Sequence, residues 1–386
     1  MTRILHLIAS NSLGGPEKQL LHHARDTRSS GYEIVLGSFQ DDPEPPEILA
    51  QARHYGIETV SIPGGIRPGL VDDLAQYLEH RAIDLLCTHG YKATVVGHFA
   101  ARAARVHWVP FVHGFTAETW QVTLYERLER SLLVRSPWVA CTSPAQAREL
   151  GRMRRGRNAP LVIQNAVLAS RDFDNPRARV PSREELGFSR GDLVFGAAGR
   201  FSRDKGHSVL LEAFASLLAM LPRQPLRLLL LGEGREESSL RAQARRLGIE
   251  DCICFAGYQP RPAAWMKIMD CLVHPSLTEG TPCAVLEAML LGIPVVATAV
   301  GGVPDILAHG ESGLLAAPGQ TLALAEEMEK LARSAPLRKR LGADGKRHVE
   351  QCFSPGRQRS LFEMLYKTLL GNAFTIEVEE PLHGVA

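Results

Sequence analysis

Short apolar runs alternate with stretches of helical periodicity along nearly the whole chain. Runs of this length, bounded by turn-forming residues, are typical of buried strands. They lie at 4–9, 33–39, 83–89, 107–113, 138–143 and 161–167 in the first half, and at 193–199, 226–232, 252–257, 271–276 and 294–300 in the second. Because helical patterns fall between them, we predict an α/β protein whose parallel strands are joined by crossover helices.

The rhythm of strands and helices is interrupted after Val167 by a polar segment that carries arginine and proline. We place a hinge there and predict two doubly wound domains, 1–168 and 169–353, with the ligand site in the cleft between them. The amphipathic stretch 354–373 is predicted to be a helix that needs a hydrophobic partner. The tail 374–386 shows no readable pattern.

The composition is that of a soluble globular chain with little net charge. Of its 386 residues, 45% are hydrophobic and 22% are charged, and the formal net charge is +2. Nucleic-acid binding needs a concentrated basic face, so this balance argues against such a partner. The basic residues are unevenly spread, however, because ten arginines and no lysine lie between 102 and 157. They form either a solvated helix face or a surface for anionic lipid or a phosphorylated acceptor, and the sequence leaves both interpretations open.

The cysteines and the N-terminus indicate the compartment. The seven cysteines are scattered and lack the spacing of metal ligands, which is typical of free thiols in a reducing compartment. The N-terminus lacks the apolar run and cleavage pattern of a signal peptide, and no run approaches the roughly 18 apolar residues that span a bilayer. We therefore expect a cytoplasmic protein that at most touches the inner face of a membrane.

The most informative stretch, 274–304, places two carboxylates on either side of a predicted helix start. Glu279 and Glu287 are eight residues apart, and Thr281 and Pro282 between them are predicted as the N-cap and the first helical residue. A carboxylate can accept hydrogen bonds from two hydroxyls of a sugar or a ribose at once. Paired carboxylates also catalyse glycoside hydrolysis, so their spacing alone leaves a hydrolase open.

The backbone of that helix start offers donors to a ligand. Proline has no N–H, so the unpaired amides belong to Cys283, Ala284 and Val285. Small side chains at this position would let a phosphate or a sugar approach the backbone.

A second turn, at 199–207, carries two cations between a predicted strand and a predicted helix. Arg200 and Lys205 in this position suit a diphosphate, because charge-assisted hydrogen bonds contribute about 1.5–3 kcal/mol each. Alone, the two residues could equally form a solvated basic turn. Together with the two glutamates they favour a diphosphate site and disfavour the hydrolase, which has no use for these cations.

Three other features carry weaker signals. The Gly14–Gly15 turn lacks the third glycine of the dinucleotide fingerprint, so a nicotinamide dehydrogenase has little support. His113 ends an apolar strand at the edge expected to face the cleft, and His89 ends an earlier strand in the same way. The D-x-D at 172–174 lies in the hinge with no strand before it, so we interpret it as turn and cap residues. No metal site is predicted.

Together these residues resemble the retaining glycosyltransferases of family 4, which have the GT-B fold of two facing Rossmann-like domains. The resemblance covers nearly the whole chain and is most specific between Glu279 and Glu287 and in the trailing PVVATAVGGVP. It also includes Gly14–Gly15, VHG at 112–114, VIQNAV at 162–167, GRFSRDKG at 199–206, LGEG at 231–234, FAGY at 255–258 and GESGLLAAPG at 310–319. The sequence departs from the family at Ala166 and Pro282, where glycine is common, and the second departure leaves the donor sugar open.

The resemblance implies a role for each candidate residue. Arg200 and Lys205 would bind the donor diphosphate, Glu279 the hydroxyls of the transferred sugar, and Glu287 the ribose. His113 would lie near the reacting face of the sugar. The other candidates for donor binding are Gly14 and Gly15 on the phosphate side, Gly257 and Tyr258 near the base, and Gly280, Thr281, Cys283, Ala284 and Val285 at the helix start.

The resemblance also implies an activity. The chain is expected to move a sugar from a nucleotide-diphosphate sugar, preferably a UDP-sugar, to a hydroxyl acceptor, without a metal or another cofactor. Domain 1–168 would bind the acceptor, 169–353 would bind the donor, and 354–373 would cross back to the first domain. The expected acceptor is a lipid-linked or polysaccharide intermediate of cell-surface glycan synthesis. A nucleotide-sugar epimerase of the same fold and a non-catalytic nucleotide-sugar-binding protein stay open as alternatives.

Overall fold

The computed structural model describes most of the chain as two parallel sheets flanked by helices. The described residues are 2–9, 13–27, 31–40, 44–65, 67–113, 120–154, 156–167 and 180–371, with the backbone alone at 120–125. The D-x-D of the expected hinge, Gly114 of the VHG segment and the tail 374–386 lie outside these ranges. The two sheets confirm the predicted α/β fold, whereas the domain boundaries at 168 and 353 stay predictions.

The first sheet is built from the N-terminal half of the chain. Its strands are β1 (Thr2–Ile8), β2 (Tyr32–Gln40), β3 (Glu58–Pro63), β4 (Leu85–His89), β5 (His107–Val112), β6 (Ala140–Cys141) and β7 (Leu161–Val162). They are parallel and lie in the order β3-β2-β1-β4-β5-β6-β7. The pattern of apolar runs did not predict β3, because this edge strand is mostly half-buried and has no continuous apolar run.

The second sheet repeats this arrangement in the C-terminal half. Its strands are β8 (Leu193–Ala198), β9 (Leu226–Leu231), β10 (Ile253–Phe255), β11 (Cys271–His274), β12 (Val295–Thr298) and β13 (Leu314–Ala316). They are parallel and lie in the order β10-β9-β8-β11-β12-β13. The short strand β13 was missed because it lies within the glycine-rich segment 310–319.

Helices connect the strands and cover both faces of each sheet. Those of the first half are α1 (Gly15–Asp26), α2 (Glu47–His54), α3 (Leu70–His80), α4 (Tyr91–Ala104), α5 (Trp120–Arg135) and α6 (Pro144–Met153). Those of the second half are α7 (His207–Met220), α8 (Glu237–Arg246), α9 (Pro262–Met266), α10 (Cys283–Leu290), α11 (Val303–Ile306), α12 (Thr321–Arg333), α13 (Ala335–Cys352) and α14 (Pro355–Leu370). Apolar side chains fill the space on both faces of the sheets.

Both sheets have a point at which the strand order reverses. In the first sheet β1 lies between β2 and β4, and in the second β8 lies between β9 and β11. The loops that leave two such neighbouring strands diverge, so a crevice opens at their carboxyl ends, where α/β proteins bind ligands. The turn with Lys205 follows β8 and the segment with Glu279 follows β11, so the topology brings them to the same crevice.

The last helix, α14, belongs to the core of the first sheet although it follows the second half in sequence. Its start is capped by Ser354, whose hydroxyl accepts a hydrogen bond from the backbone N–H of Arg357. One face of α14 is buried with the residues of α1, α2 and the first sheet. The residues on this face are Phe362, Leu365, Tyr366 and Leu369. The helix therefore fastens the C-terminal half to the N-terminal one.

We expect Phe362→Ala to lower the free energy of unfolding of the first half by about 3–5 kcal/mol, because it leaves a cavity in this core. The Phe362 ring is 4% exposed and stacks on His23 with ring centroids 3.7 Å apart. Urea unfolding followed by tryptophan fluorescence measures the change. Met364→Ala is the control on the same helix, because Met364 is 38% exposed. This substitution should change the free energy of unfolding by less than about 0.5 kcal/mol. Equal effects of the two variants would contradict the packing described for α14.

Candidate functional site

A partly buried cation–carboxylate pair lies at the carboxyl edge of the second sheet. After β8 the chain forms a short 3-10 helix, Arg203–Lys205, and after β11 it reaches Glu279. The ammonium nitrogen of Lys205 lies 2.7 Å from Oε1 of Glu279. The sequence predicted both residues as site candidates, and the structure brings them into direct contact.

Two further donors from the end of β11 converge on the same carboxylate oxygen. His274 Nε2 lies 2.8 Å from Oε1 of Glu279, and the Ser276 hydroxyl donates to it at 2.7 Å. Burial by itself would raise the pKa of Glu279, but the charge of Lys205 and the hydrogen bond from His274 hold that pKa well below its usual range. Glu279 is therefore an anion at every physiological pH, and it serves as an acceptor rather than as an acid.

The helix start beside this pair differs from the prediction. Helix α10 begins at Cys283, with Pro282 as the N-cap and no side chain capping it. Thr281 is not the N-cap, because its hydroxyl donates instead to the backbone carbonyl of Thr142 in the first half. The amides of Cys283, Ala284 and Val285 occupy the first turn, so they are the donors that an α-helix leaves without partners inside the helix.

Close packing against the first half explains the glycine at position 280. A Cβ added to Gly280 would lie 2.4 Å from the Thr142 hydroxyl and 2.8 Å from the carbonyl oxygen of His113. Any side chain here would push the two halves apart. The segment 280–283 is thus the place where the second half touches the first, directly beside Glu279.

A hydrogen-bonded set of side chains extends this contact. The Asn165 side-chain amide donates to the carbonyl of Thr281 at 2.7 Å and to the sulfur of Cys283 at 3.5 Å. Gln19 on α1 donates to the same sulfur at 3.8 Å, and a Cβ added to Gly15 would lie 3.0 Å from it. Gly15 at the start of α1 therefore lies close to the start of α10, whereas its predicted contact with the donor stays a prediction.

Two cavities are lined by residues of both halves, and each is lined by one of the two glutamates. A cavity of about 350 Å³ is lined by Glu279, Leu277 and Gly301 from the second half and by Val112, Gln146 and Glu149 from the first. A second cavity, of about 290 Å³, is lined by Glu287 and Pro260 from the second half and by Lys18, Arg25 and Tyr55 from the first. A ligand that contacts both carboxylates therefore has to reach both cavities.

Glu287 differs from Glu279 in its electrostatics. Burial raises its pKa from 4.5 to about 6, and the positive charge of Lys18 offsets only part of that effect. The Lys18 ammonium group itself donates to the carbonyl oxygen of Pro260 at 3.0 Å, across the two halves. Glu287 is thus a carboxylate without the set of donors that surrounds Glu279.

Comparisons with known proteins identify the family. The family model described as "Glycosyl transferase 4-like domain" matches residues 14–166, and the model described as "Glycosyl transferases group 1" matches residues 179–348. The chain belongs to the GT-B glycosyltransferases of the family 4 type. It is 30% identical over 286 residues to D-inositol 3-phosphate glycosyltransferase of Pseudarthrobacter chlorophenolicus, covering 67% of this chain and 66% of that protein. It is 28% identical over 188 residues to N-acetyl-α-D-glucosaminyl L-malate synthase of Bacillus anthracis, covering 49% of each chain.

The chain thus spans only about half to two thirds of the length of these curated relatives. Solved structures match over nearly its full length. Anabaena Alr3699/HepE, in complex with UDP-glucose, superposes with a TM-score of 0.80 at 24% identity, covering 95% of this chain and all of that one. Sucrose-phosphate synthase of Thermosynechococcus elongatus superposes with a TM-score of 0.80 at 20% identity, covering 96% of this chain and all of that one. At these identities the likeness establishes the GT-B fold.

The remaining residues predicted for this GT-B glycosyltransferase lie around the contact. His113 follows β5, and its Nε2 is 2.9 Å from Nδ1 of His89. Arg200 has an exposed side chain just after β8. Gly257 turns the chain after β10 with a φ of +70°, and the next residue, Tyr258, is 44% exposed. Arg200 and Tyr258 are therefore exposed, whereas Lys205 and Glu279 are partly buried.

Several residues of the site were missed from the sequence. His274 and Ser276 precede Glu279 on the same strand end, so their polar side chains after an apolar run could have indicated a role. Lys18, Gln19 and Thr142 carried no such signal, because they reach the site from the other half of the chain. Among the described residues, no three His, Cys, Asp or Glu side chains are grouped so that they could hold a metal ion. No helix in the described ranges is long and apolar enough to cross a membrane.

We expect Glu287→Gln to stabilise the ligand-free protein at neutral pH and to do so much less under acidic conditions. The folded pKa, about 6, lies above the usual 4.5, so ionisation of Glu287 costs stability as the pH rises through this interval, up to roughly 2 kcal/mol. At pH 4.5 the carboxyl group is protonated in the folded state and about half protonated in the unfolded state, so most of the cost is absent. Urea unfolding of both proteins at pH 4.5 and pH 7.5 measures the difference. A stabilisation that is the same at both pH values would contradict this assignment.

Proposed function

We propose that this chain is a retaining glycosyltransferase that moves a sugar from a nucleotide-diphosphate sugar, preferably a UDP-sugar, to a hydroxyl acceptor. The observation that carries the proposal is the partly buried pair of Lys205 and Glu279 beside the first-turn amides of α10, in the cleft between two Rossmann-like domains. A cation and a helix N-terminus bind a diphosphate, and a carboxylate accepts sugar hydroxyls. Support also comes from the relative in Pseudarthrobacter chlorophenolicus, which is named a glycosyltransferase, and from HepE, which was solved with UDP-glucose.

The roles of the side chains follow from this geometry. Oε1 of Glu279 already accepts hydrogen bonds from three groups, so we assign the sugar hydroxyls to Oε2. Glu287 would accept from the ribose in the neighbouring cavity, and Tyr258 would lie beside the base at the rim. His113, next to Gly280, would face the transferred sugar.

In the proposed reaction, the bond between the anomeric carbon and the β-phosphate oxygen breaks while the acceptor oxygen bonds to that carbon on the same face. The acceptor proton passes to the leaving phosphate. Lys205, Arg200 and the amides of α10 stabilise the negative charge that develops on the diphosphate, as oxyanion-hole donors do. We propose that these groups supply the positive charge that a metal ion supplies in other transferases.

We expect Lys205→Ala to lower kcat by about a hundredfold or more, because it removes a donor to the charge that develops in the transition state. Calorimetry against UDP-, GDP- and ADP-sugars first identifies the donor, and donor hydrolysis and transfer to candidate acceptors then give kcat. Lys330→Ala is the matched control, since Lys330 forms an exposed ion pair with Glu327 far from β8 in sequence. Glu287→Ala should mainly weaken donor binding.

Each alternative function has its own outcome in these assays. Conversion of a UDP-sugar without any acceptor would indicate the epimerase, and donor binding without turnover would indicate a non-catalytic binding protein. Near-normal turnover by Lys205→Ala would overturn the proposed mechanism. Failure of every nucleotide-diphosphate sugar to bind would overturn the proposed function.

We also propose that the N-terminal half contacts an anionic membrane, which would present a lipid-linked acceptor of glycan synthesis on the cytoplasmic side. Arg155 lies outside the described residues, and eight of the other nine clustered arginines are exposed: Arg102, Arg105, Arg127, Arg130, Arg135, Arg148, Arg152 and Arg157. Arg154 is an exception, because it is buried and donates to backbone carbonyls such as that of Pro137. Exposed apolar side chains accompany the arginines, with Phe99 on α4 49% exposed and Leu128 on α5 43% exposed. Helices α4 and α5 pack against each other, and exposed basic and apolar side chains on neighbouring helices suit anionic lipid.

We expect the double variant Arg102→Glu with Arg127→Glu to bind vesicles that contain phosphatidylserine at least tenfold more weakly than the unchanged protein. Each arginine near such a surface contributes about 1 kcal/mol. Cosedimentation with these vesicles, and with vesicles of phosphatidylcholine alone, measures the effect. The control reverses two exposed arginines of the other half, Arg245→Glu with Arg246→Glu on α8. Equal losses in the two double variants would show that net charge, rather than this surface, controls binding.

A further inference from the structure

A chain of hydrogen bonds leads from His113 into the core of the first half. His113 Nε2 lies 2.9 Å from His89 Nδ1, and His89 Nε2 lies 3.0 Å from His6 Nδ1. His89 and His6 are 2% and 0% exposed. This series of hydrogen bonds thus passes from the end of β5 to the end of β4 and on to β1, where the first sheet reverses its strand order.

The series of hydrogen bonds continues to the last helix, α14, and from there to α1. The other nitrogen of His6, Nε2, lies 2.8 Å from the hydroxyl of Tyr366 on α14, and the same hydroxyl lies 2.6 Å from His23 Nε2. His23 Nδ1 lies 3.2 Å from the hydroxyl of Thr27, which donates to the carbonyl oxygen of His23 at 2.6 Å. Both ring nitrogens of His6, His23 and His89 are therefore engaged within one chain.

The four imidazoles are neutral near pH 7. Burial lowers the pKa of His6 to about 3 and that of His113 to about 4, and it lowers the pKa values of His23 and His89 well below their usual range. Burial likewise raises the pKa of Tyr366 well above its usual value, so its hydroxyl keeps its proton. A neutral imidazole has one donor nitrogen and one acceptor nitrogen. The donors along this series of hydrogen bonds can therefore all point in one of only two directions. The group at one end of the series determines the direction.

The Thr27 end sets the direction. Its single hydroxyl proton goes to the nearer acceptor, the His23 carbonyl, so the Thr27 oxygen accepts from Nδ1–H of His23. His23 Nε2 is then an acceptor for the Tyr366 hydroxyl, and Tyr366 accepts from Nε2–H of His6. By the same logic His6 Nδ1 accepts from His89 Nε2–H, and His89 Nδ1 accepts from His113 Nε2–H.

We propose that Thr27, His23, Tyr366, His6 and His89 are positioning residues that hold His113 as its Nε2–H tautomer, so that its Nδ1 is an acceptor for a hydroxyl of a bound ligand. This inference deepens the proposed function and rests on it, because His113 is assigned there to face the transferred sugar. The tautomer of an imidazole is set by the hydrogen bond that its other nitrogen makes. The hydrogen bonds extend this dependence over five residues and link the site to α14.

The test is nuclear magnetic resonance of the whole protein labelled with 15N-histidine, in which the shifts of the two ring nitrogens distinguish the tautomers. The His113 signals are assigned by their loss in His113→Asn. We expect Nε2–H for His113 in the unchanged protein. Thr27→Val removes the acceptor for His23 Nδ1–H, so the chain should reverse and His113 should become the Nδ1–H tautomer. Thr27→Ser, which restores the hydroxyl, should keep the original tautomer.

A second variant interrupts the chain at another point. Tyr366→Phe removes the acceptor for His6 Nε2–H, so His6, His89 and His113 should reverse as they do in Thr27→Val. Tyr32→Phe is the matched control, because the Tyr32 ring packs against Tyr366 with centroids 5.1 Å apart but is not a member of the chain. Both reversing variants should lower kcat about three- to tenfold, the value of one neutral hydrogen bond, with donor affinity changed less.

The outcomes separate this inference from the function on which it rests. An Nδ1–H tautomer of His113 in the unchanged protein would overturn the proposed role of these hydrogen bonds. A tautomer of His113 that does not differ between the unchanged protein, Thr27→Val and Tyr366→Phe would overturn it as well. If one variant does not fold, the tautomer in the unchanged protein and in the other variant still decides. The spectrum is recorded without substrate. If the tautomer switches as expected but the protein binds no nucleotide-sugar, the role of the hydrogen bonds is supported and the proposed function is overturned.

Discussion

Burying a carboxylate costs several kcal/mol unless donors or cations surround it, and most of the site is arranged to meet that cost at Glu279. Lys205 approaches from the loop after β8, and His274 and Ser276 approach from the end of β11. These two strands are neighbours only because the second sheet reverses its order between them. The ion pair therefore fixes both loops at the point where the topology opens a crevice, and it does so before any ligand takes part.

The contact between the two halves follows from the same arrangement. Once Glu279 is held, the residues after it must leave the crevice towards the first half, and Gly280 has no side chain to prevent the approach to His113 and Thr142. Thr281 and Asn165 then join the halves by hydrogen bonds, one of them 2.7 Å long. The two glutamates consequently differ in chemistry. Glu279 is stabilised as an anion, whereas Glu287 lines a different cavity and has a raised pKa.

The last helix gives the fold a second connection between the halves. Tyr366 is fully buried among residues of the first sheet, and its hydroxyl contacts both His6 and His23. Three histidines inside a core would be costly as cations, so they are held neutral and paired with one another. A polar chain of this kind is tolerated in a core because every nitrogen and hydroxyl in it has a partner.

The sequence by itself determined the fold class, the positions of most strands, and the candidates Lys205, Glu279 and Glu287. These features are local, because an apolar run, a turn and a helix start are each readable within about ten residues. It missed the edge strand β3, which lacks an apolar run, and it assigned Thr281 to a helix cap, because the competing carbonyl of Thr142 is 139 residues away. Only the tertiary structure could decide such partners. The bond from His6 to Tyr366 joins residues 360 positions apart, and no local pattern contains that distance. The local sequence thus determined which chemical groups are available at each site. Which of these groups contact one another depended on how the two sheets and the last helix pack.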